Sequence, residues 1–335
     1  MSSSAEPKVA QLAFCTADLP ATVRLYSEAF GFASAGGRTI WGPRLAAIQG
    51  LGADAATLLW WLVGRQDLCQ LELFTHTQPP QRPLPADWRP SDHGWVRWGL
   101  AIPDFDDALA RLGALGVPPL TEPATVDGLR RVCFRDPYTG IPVEVMEEGA
   151  ALPGGIRPRF YDLVPAVVYA ALSVSDLARA HRFLTTTVGL IEEPAETLHD
   201  ADAEALWGLA GARYERFVAR GGDVRIEVTQ YIDPAGRPKP DDHRLSDQGF
   251  MNAAVGFRRR DASDALLERL AAAGHGPGAG LPETPAGGTY VSDEEGTSLE
   301  VISAPREFDA AFGFAPERIF RTPSLWPQPH AGPAR

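Results

Sequence analysis

Four glutamates stand at matched places in this 335-residue chain. Glu72 lies in "QLELF" and Glu227 in "RIEVTQY", two apolar runs of strand character. Glu144 and Glu300 each follow a Gly turn by four residues, in "DPYTGIPVEV" and "SDEEGTSLEV". Carboxyls carried into a core on strands can serve as general acids or bases, or as oxygen ligands for a cation. Two that share a cavity without a cation push one pKa upward, since like charges disfavour double ionisation. Four aspartates invite the same reading, but Asp18, Asp104, Asp176 and Asp261 each fall at the start of a helical pattern. They read as N-caps, whose side chains accept the first free backbone N–H groups.

The glutamates recur because the chain repeats itself. "QLAFCTADLPATVRLYSEAFGF" (11–32) and "YAALSVSDLARAHRFLTTTVGL" (169–190) share one layout of strand, Asp turn, amphipathic helix and Gly. A shorter unit follows each, "WGLAIPDFDDALARLGALG" (98–116) and "VGFRRRDASDALLERLAAAG" (255–274), ending on the Glu144 and Glu300 hairpins. Four strand–helix–strand units in the order A-B-A′-B′ imply an internal duplication and an α+β fold. Pro-rich stretches at 77–90, 149–160 and 233–242 read as connectors. The spacing predicts an N-terminal domain over 9–149 with modules 9–76 and 94–149. It predicts a C-terminal domain over 162–305 with modules 162–232 and 249–305, then an extension over 306–335 in which Trp326 could dock on a neighbour.

Composition narrows the function. A net charge of −12 and a pI near 5.1 argue against nucleic acid or an anionic membrane as partner, because both need basic patches. Nothing approaches a spanning apolar segment or a secretion signal, so a cytoplasmic protein, monomer or homodimer, is expected. Cys15, Cys69 and Cys133 sit in apolar runs without CxxC spacing and read as buried thiols.

With the strand–"DL"–helix–"GF" phrase, "ELF" and "DP-x-x-G-x-x-x-E" in place, the chain resembles the vicinal oxygen chelate superfamily. That group includes glyoxalase I, bleomycin-resistance proteins and extradiol dioxygenases. The resemblance implies four βαβββ modules paired into two half-barrels, each cupping a small molecule. It implies up to four inward wall positions per pair of modules. Taking consecutive modules as pairs, these are Gln11, Glu72, Arg97 and Glu144 in the first half, and Tyr169, Glu227, Ala254 and Glu300 in the second. Alignment on Gly249 places Asn252 at the Ala254 position.

That grouping disfavours a metal. Arg97 has no lone pair to donate, and at ~4 Å from a divalent ion it would be repelled by roughly 8 kcal/mol. The second set has no imidazole, and none of the seven His residues falls at a wall position. One alternative metal set remains, Gln11, Glu72, His76 and Glu144, if the Glu72 strand runs on to His76. Without a metal or redox cofactor, Glu227, Glu300, Glu72, Glu144 and Tyr169 are candidate proton-transfer groups. Arg97, Gln11, Asn252, Trp61 and Trp207 are candidate substrate contacts, and Trp98 should turn away toward a helix. The expectation is a lyase or isomerase acting on a small aromatic or carbonyl-bearing molecule. The alternatives are a sequestering protein or a metalloenzyme with an unusual ligand set.

Overall fold

The computed structural model describes residues 6–126, 128–149, 161–277, 279–293 and 295–317; Trp326 and most of the 149–160 connector lie outside them. The first module runs β1 (Lys8–Cys15), α1 (Leu19–Phe30), β2 (Ala33–Trp41), α2 (Pro43–Gln49), β3 (Ala56–Val63) and β4 (Gln70–Gln78). The second runs β5 (Gly94–Ile102), α3 (Phe105–Ala114), β6 (Ala124–Val126), β7 (Leu129–Arg135) and β8 (Pro142–Glu147). The third comprises β9 (Ala166–Ser173), α4 (Leu177–His181) continued as a π-helical turn (Arg182–Val188), β10 (Ile191–Glu193), β11 (Arg213–Gly221) and β12 (Val224–Asp233). Two 3₁₀ turns, Ala195–Thr197 and Ala201–Trp207, lie between β10 and β11. The fourth comprises β13 (Gly249–Phe257), α5 (Arg260–Ala272), β14 (Gly287–Ser292) and β15 (Ser298–Ser303). Among the described residues it forms one strand fewer than the others.

Local chemistry sets these boundaries. Asp18 accepts from the Ala21 N–H at 3.0 Å, Pro20 occupies the first turn, and Gly31 closes α1 in the left-handed conformation at φ 80°. Leu25, Tyr26, Ala29 and Phe30 form the buried face of α1. Asp176 caps α4 in the same way, accepting from Arg179 N–H at 2.9 Å. Asp104 holds the N-cap position of α3 without a capping bond from its side chain. Asp261 departs from expectation. The helix starts two residues earlier, Arg259 is the N-cap, and Asp261 pairs with that Arg from inside the first turn.

The strands form two curled sheets, β14-β15-β13-β1-β4-β3-β2 and β10-β11-β12-β9-β5-β8-β7-β6. Each is a half-barrel of two modules, but the partners are not neighbours in sequence. β1 pairs antiparallel with β13, bringing module one to module four, and β5 pairs antiparallel with β9, bringing module two to module three. This corrects the pairing of consecutive modules within 9–149 and 162–305. Residues 79–93 and 234–248, which cross between the sheets, are rich in Pro, which fixes φ and offers no ladder N–H, so neither β4 nor β12 continues into them.

Between the sheets α1 packs on α3, and α5 on the π-helical turn. The largest core cluster fills this layer, with Phe14, Phe30, Trp98 and Phe134. Trp98 turns from the cup face, as expected, and packs 5.6 Å from the Tyr26 ring on α1. The concave faces open outward as two cups. The first lies in the β1/β13 sheet and the second in the β5/β9 sheet.

Candidate functional site

Cross-pairing redistributes the wall residues. On the first cup's floor, Gln11 of β1 lies opposite Ala254 of β13, with Glu72 of β4 and Glu300 of β15 flanking them. Gln11 Nε2 donates to Glu72 Oε2 and to Glu300 Oε2, both at 2.7 Å. Trp61 Nε1 donates to Glu72 Oε1 at 2.9 Å, and the Gln70 amide backs that of Gln11 at 2.6 Å. Neither carboxyl has an ion-pair partner among the described residues. Burial therefore pushes Glu72 up to about 7, partly offset by the Trp61 donor and the positive charge of Arg38. Burial and the neighbouring Glu72 charge push Glu300 well above the carboxylate range. Each charge disfavours the other, so the two carboxyls do not ionise independently.

A cavity of about 460 Å³ opens above this floor, within the usual size range of small-molecule sites. Its walls are largely apolar, with Leu59, Phe74, Ile302 and Phe314 among them. Arg38 of β2 sits nearer the mouth, its guanidinium carbon 4.9 Å from the Trp61 ring centroid and 5.1 Å from that of Phe312. Trp41, 70% exposed, stands on the rim. The described part of the C-terminal extension completes the wall, held by the Glu317 N–H to the Ser34 carbonyl at 2.8 Å and by Tyr161 Oη to the Phe314 carbonyl at 2.6 Å.

The second cup is filled. Arg97 pairs with Glu227, and Tyr169 Oη donates to Glu144 Oε2 at 2.7 Å. Between the two carboxylates lies His199, with Nδ1 2.7 Å from Glu227 Oε1 and Nε2 2.8 Å from Glu144 Oε2. Both ring nitrogens face acceptors, so the ring is an imidazolium donating twice. Burial opposes that charge, but Glu227 and Glu144 outweigh it and raise the His199 pKa. Burial would likewise raise Glu227 and Glu144. His199 with Arg97 and Arg216 holds the first below its usual range, and His199 with Arg131 holds the second there. Trp207 lies flat over Arg97, 3.8 Å from ring centroid to guanidinium carbon. It closes the cup with the Ala201–Trp207 turn.

Three expectations are thereby corrected. Glu227 and Glu300 do not face each other without a cation; they lie in different cups, and Glu227 carries Arg97, Arg216 and His199. Arg97 does not stand between Glu72 and Glu144. The set Gln11, Glu72, His76 and Glu144 does not assemble, because Glu144 belongs to the other sheet. His76 does lie on the continued β4, as that alternative required, but it pairs with Gln49 at 2.8 Å, and burial lowers its pKa to about 4. Trp61 lines the first cavity, whereas Trp207 is a buried plug. Asn252 lies beside Ala13 of β1, with its buried amide near the Tyr290 side chain. The three cysteines are buried and free, and burial pushes their thiols upward.

Arg38 and His199 were not singled out by the sequence reading, since neither lies on a wall strand position of the repeat. A signal for His199 exists. Counting back from the matched Gly50 and Gly208 sets it opposite Trp41, so one duplicated position is an exposed rim Trp in the first cup and a buried imidazolium in the second.

The donor chemistry also separates the cups as metal sites. In the second, Arg97 and His199 supply the positive charge, and the set does not fit a cation. In the first, one oxygen of each carboxyl lies 2.7 Å from Gln11 Nε2, and neither carboxyl is ion-paired among the described residues. Gln11, Glu72 and Glu300 fit a hard divalent ion at three positions, Ala254 being the fourth. Among the described residues no cluster of three or more His, Cys, Asp or Glu side chains is arranged for a metal.

This architecture is that of a two-cup protein of the glyoxalase type. Residues 8–145 match the model of the Glyoxalase/Bleomycin resistance protein/Dioxygenase superfamily. The matched stretch is modules one and two, which here enter different sheets. Glyoxalase I from Zea mays superposes with a TM-score of 0.57 at 14% identity, covering 89% of this chain and 92% of that one. A candidate dioxygenase from Bacillus subtilis superposes with 0.60 at 13% identity, covering 91% and 87%. At these identities the likeness is one of fold. No curated protein matches the chain in sequence. No helix among the described residues is long and apolar enough to cross a membrane.

Proposed function

We propose that the first cup is the working site of a lyase or isomerase without redox cofactor, which moves a proton on a small carbonyl-bearing or aromatic molecule. One observation carries this reading: two buried carboxyls share a single amide donor at the floor of an otherwise apolar cavity. Glu72, with its pKa near 7, accepts or returns the proton at close to its own free-energy level, where general acid–base catalysis is most efficient. Glu300, held protonated, donates to the oxygen that becomes enolic. Gln11 fixes the distance between them. Arg38, held against two ring faces and not ion-paired among the described residues, attracts an anionic group of the substrate toward the mouth. A divalent ion held by Gln11, Glu72 and Glu300 would polarise the substrate carbonyl when bound.

Sequestration of a small molecule is the second reading, since the cavity's size and apolar walls serve it equally. A buried carboxyl pair weakens an apolar binding site, so its presence favours chemistry. The test is exchange of α-hydrogens for deuterium in a panel of small aryl and alkyl oxo acids incubated in D₂O, followed by NMR. Wild type should exchange at least one of them, and Glu72→Gln and Glu300→Gln should each slow it by about 100-fold or more. Saturable binding without exchange would favour sequestration. Elemental analysis and the same assay after chelation report whether a cation takes part.

A further inference from the structure

The two connectors that cross between sheets repeat one another. Arg82-Pro83-Leu84-Pro85 matches Arg237-Pro238-Lys239-Pro240, and Asp87 and Asp92 match Asp242 and Asp247. They clasp reciprocally. Arg82 binds Asp247 through Nε at 2.9 Å and through a terminal nitrogen at 2.6 Å, and Arg237 binds Asp92 with the same two distances. Arg82 also reaches Asp242, and Arg237 reaches Asp87. Between the loops lies a cavity of about 640 Å³ that shares no lining residue with the first cup.

The duplication makes this cavity's two halves comparable, and they differ in kind. Leu84 lies over Gly249, and at the matching place Lys239 lies over Gly94. Trp88 in one loop is matched by His243 in the other. One half is therefore apolar, continued by the stacked rings of Trp95 and Phe250 at 5.5 Å, and the other carries an amine and an imidazole. The remaining charges are largely spoken for. Arg82 and Arg237 hold the clasp, Arg89 and Arg244 add to Asp92 and Asp247, and Asp241 is exposed. His243 is pushed down to about 4 by burial and by Lys239, so it is neutral at pH 7. Lys239 has no hydrogen bond or ion pair among the described residues; burial lowers its pKa, and Asp293 opposes this from a distance.

We infer that this inter-loop cavity is a second small-molecule site, separate from the first cup, which takes an aryl-alkyl carboxylate. The carboxylate meets the Lys239 ammonium, and the ring lies against Trp88, Trp95 and Phe250. Among the described residues lining the cavity, Lys239 is the cation without an ion pair, and beside aromatic walls it selects an anion with an apolar body over either an inorganic anion or a neutral aromatic.

Isothermal titration of the full chain with 3-phenylpropionate, and with the neutral 3-phenylpropionamide, tests this. The acid should bind saturably to wild type and more tightly than the amide. Lys239→Leu, which copies the matching Leu84, should weaken the acid by about tenfold or more and leave the amide unchanged. Arg38→Met, in the first cup, should not reproduce the loss seen in the Lys239 variant. If Lys239→Leu melts early, Lys239→Met carries the same expectation. Loss of binding in Arg38→Met with retention in both Lys239 variants would place the acid in the first cup and overturn the assignment. So would equal affinity in all proteins, or no saturation by about 10 mM.

Discussion

At the residue scale the two cups have opposite electrostatics, and their carboxyls Glu72 and Glu227 should depend on pH with opposite sign. Glu72 has its folded pKa raised from 4.5 to about 7, so its contribution to stability is fully present below pH 4.5 and lost as pH rises toward 7. That loss is on the order of 3 kcal/mol for a shift of this size. Glu72→Gln should therefore raise the melting temperature at pH 8 relative to wild type, with little gain at pH 4.5; thermal melts across that range check it. In the second cup Glu227 is lowered and His199 raised. The first stabilises above pH 4.5 and is lost as pH falls further, and the second stabilises below 6.5 and is lost as pH climbs through its raised value. Wild type should be most stable in mildly acidic buffer. Glu72, Glu300 and Gln11 were legible in the sequence because each repeats at a fixed distance from a turn. Arg38 was not, because its role comes from two rings, Trp61 and Phe312, that are distant in sequence.

At the scale of elements, the segment between β10 and β11 decides which cup stays open. In the first module the equivalent place holds α2, and Trp41 before it stays on the rim. In the third, His199 and Trp207 enter the cup, His199 bridging Glu227 and Glu144 and Trp207 covering Arg97. His199→Ala leaves two buried carboxylates short of a cation, a change that costs about 3–5 kcal/mol in comparable buried pairs. Chemical denaturation should show that loss, while any deuterium exchange in the first cup keeps its KM in the fraction that remains folded. The strand and helix pattern was visible in the sequence through periodicity and the Asp18 and Asp176 caps. The plug was not, because "TLHDADAEALW" has neither strand alternation nor a long helical stripe, and only its burial shows what it does.

At the scale of the whole molecule, the module count and the half-barrel form followed from the repeat, whereas the partner of each module did not. A-B-A′-B′ is compatible with pairing neighbours or with pairing first to last, and the choice is made by contacts such as Arg82 with Asp247 that no local pattern announces. A chain ending at residue 149 contains half of each sheet. It should not behave as a folded monomer by size-exclusion chromatography and circular dichroism, whereas co-expression with residues 150–335 should restore a one-to-one complex.

The hydrogen bond from Gln11 to Glu300 spans 289 residues. During synthesis the β5/β9 sheet has all its strands once β12 has left the ribosome, but β1 waits with one edge bare until β13 is made. The open cup is thus the last part of the protein to form, dependent on the slowest kind of contact to find. A nascent chain stalled short of β15 would carry a finished, plugged cup and an unfinished, empty-handed one.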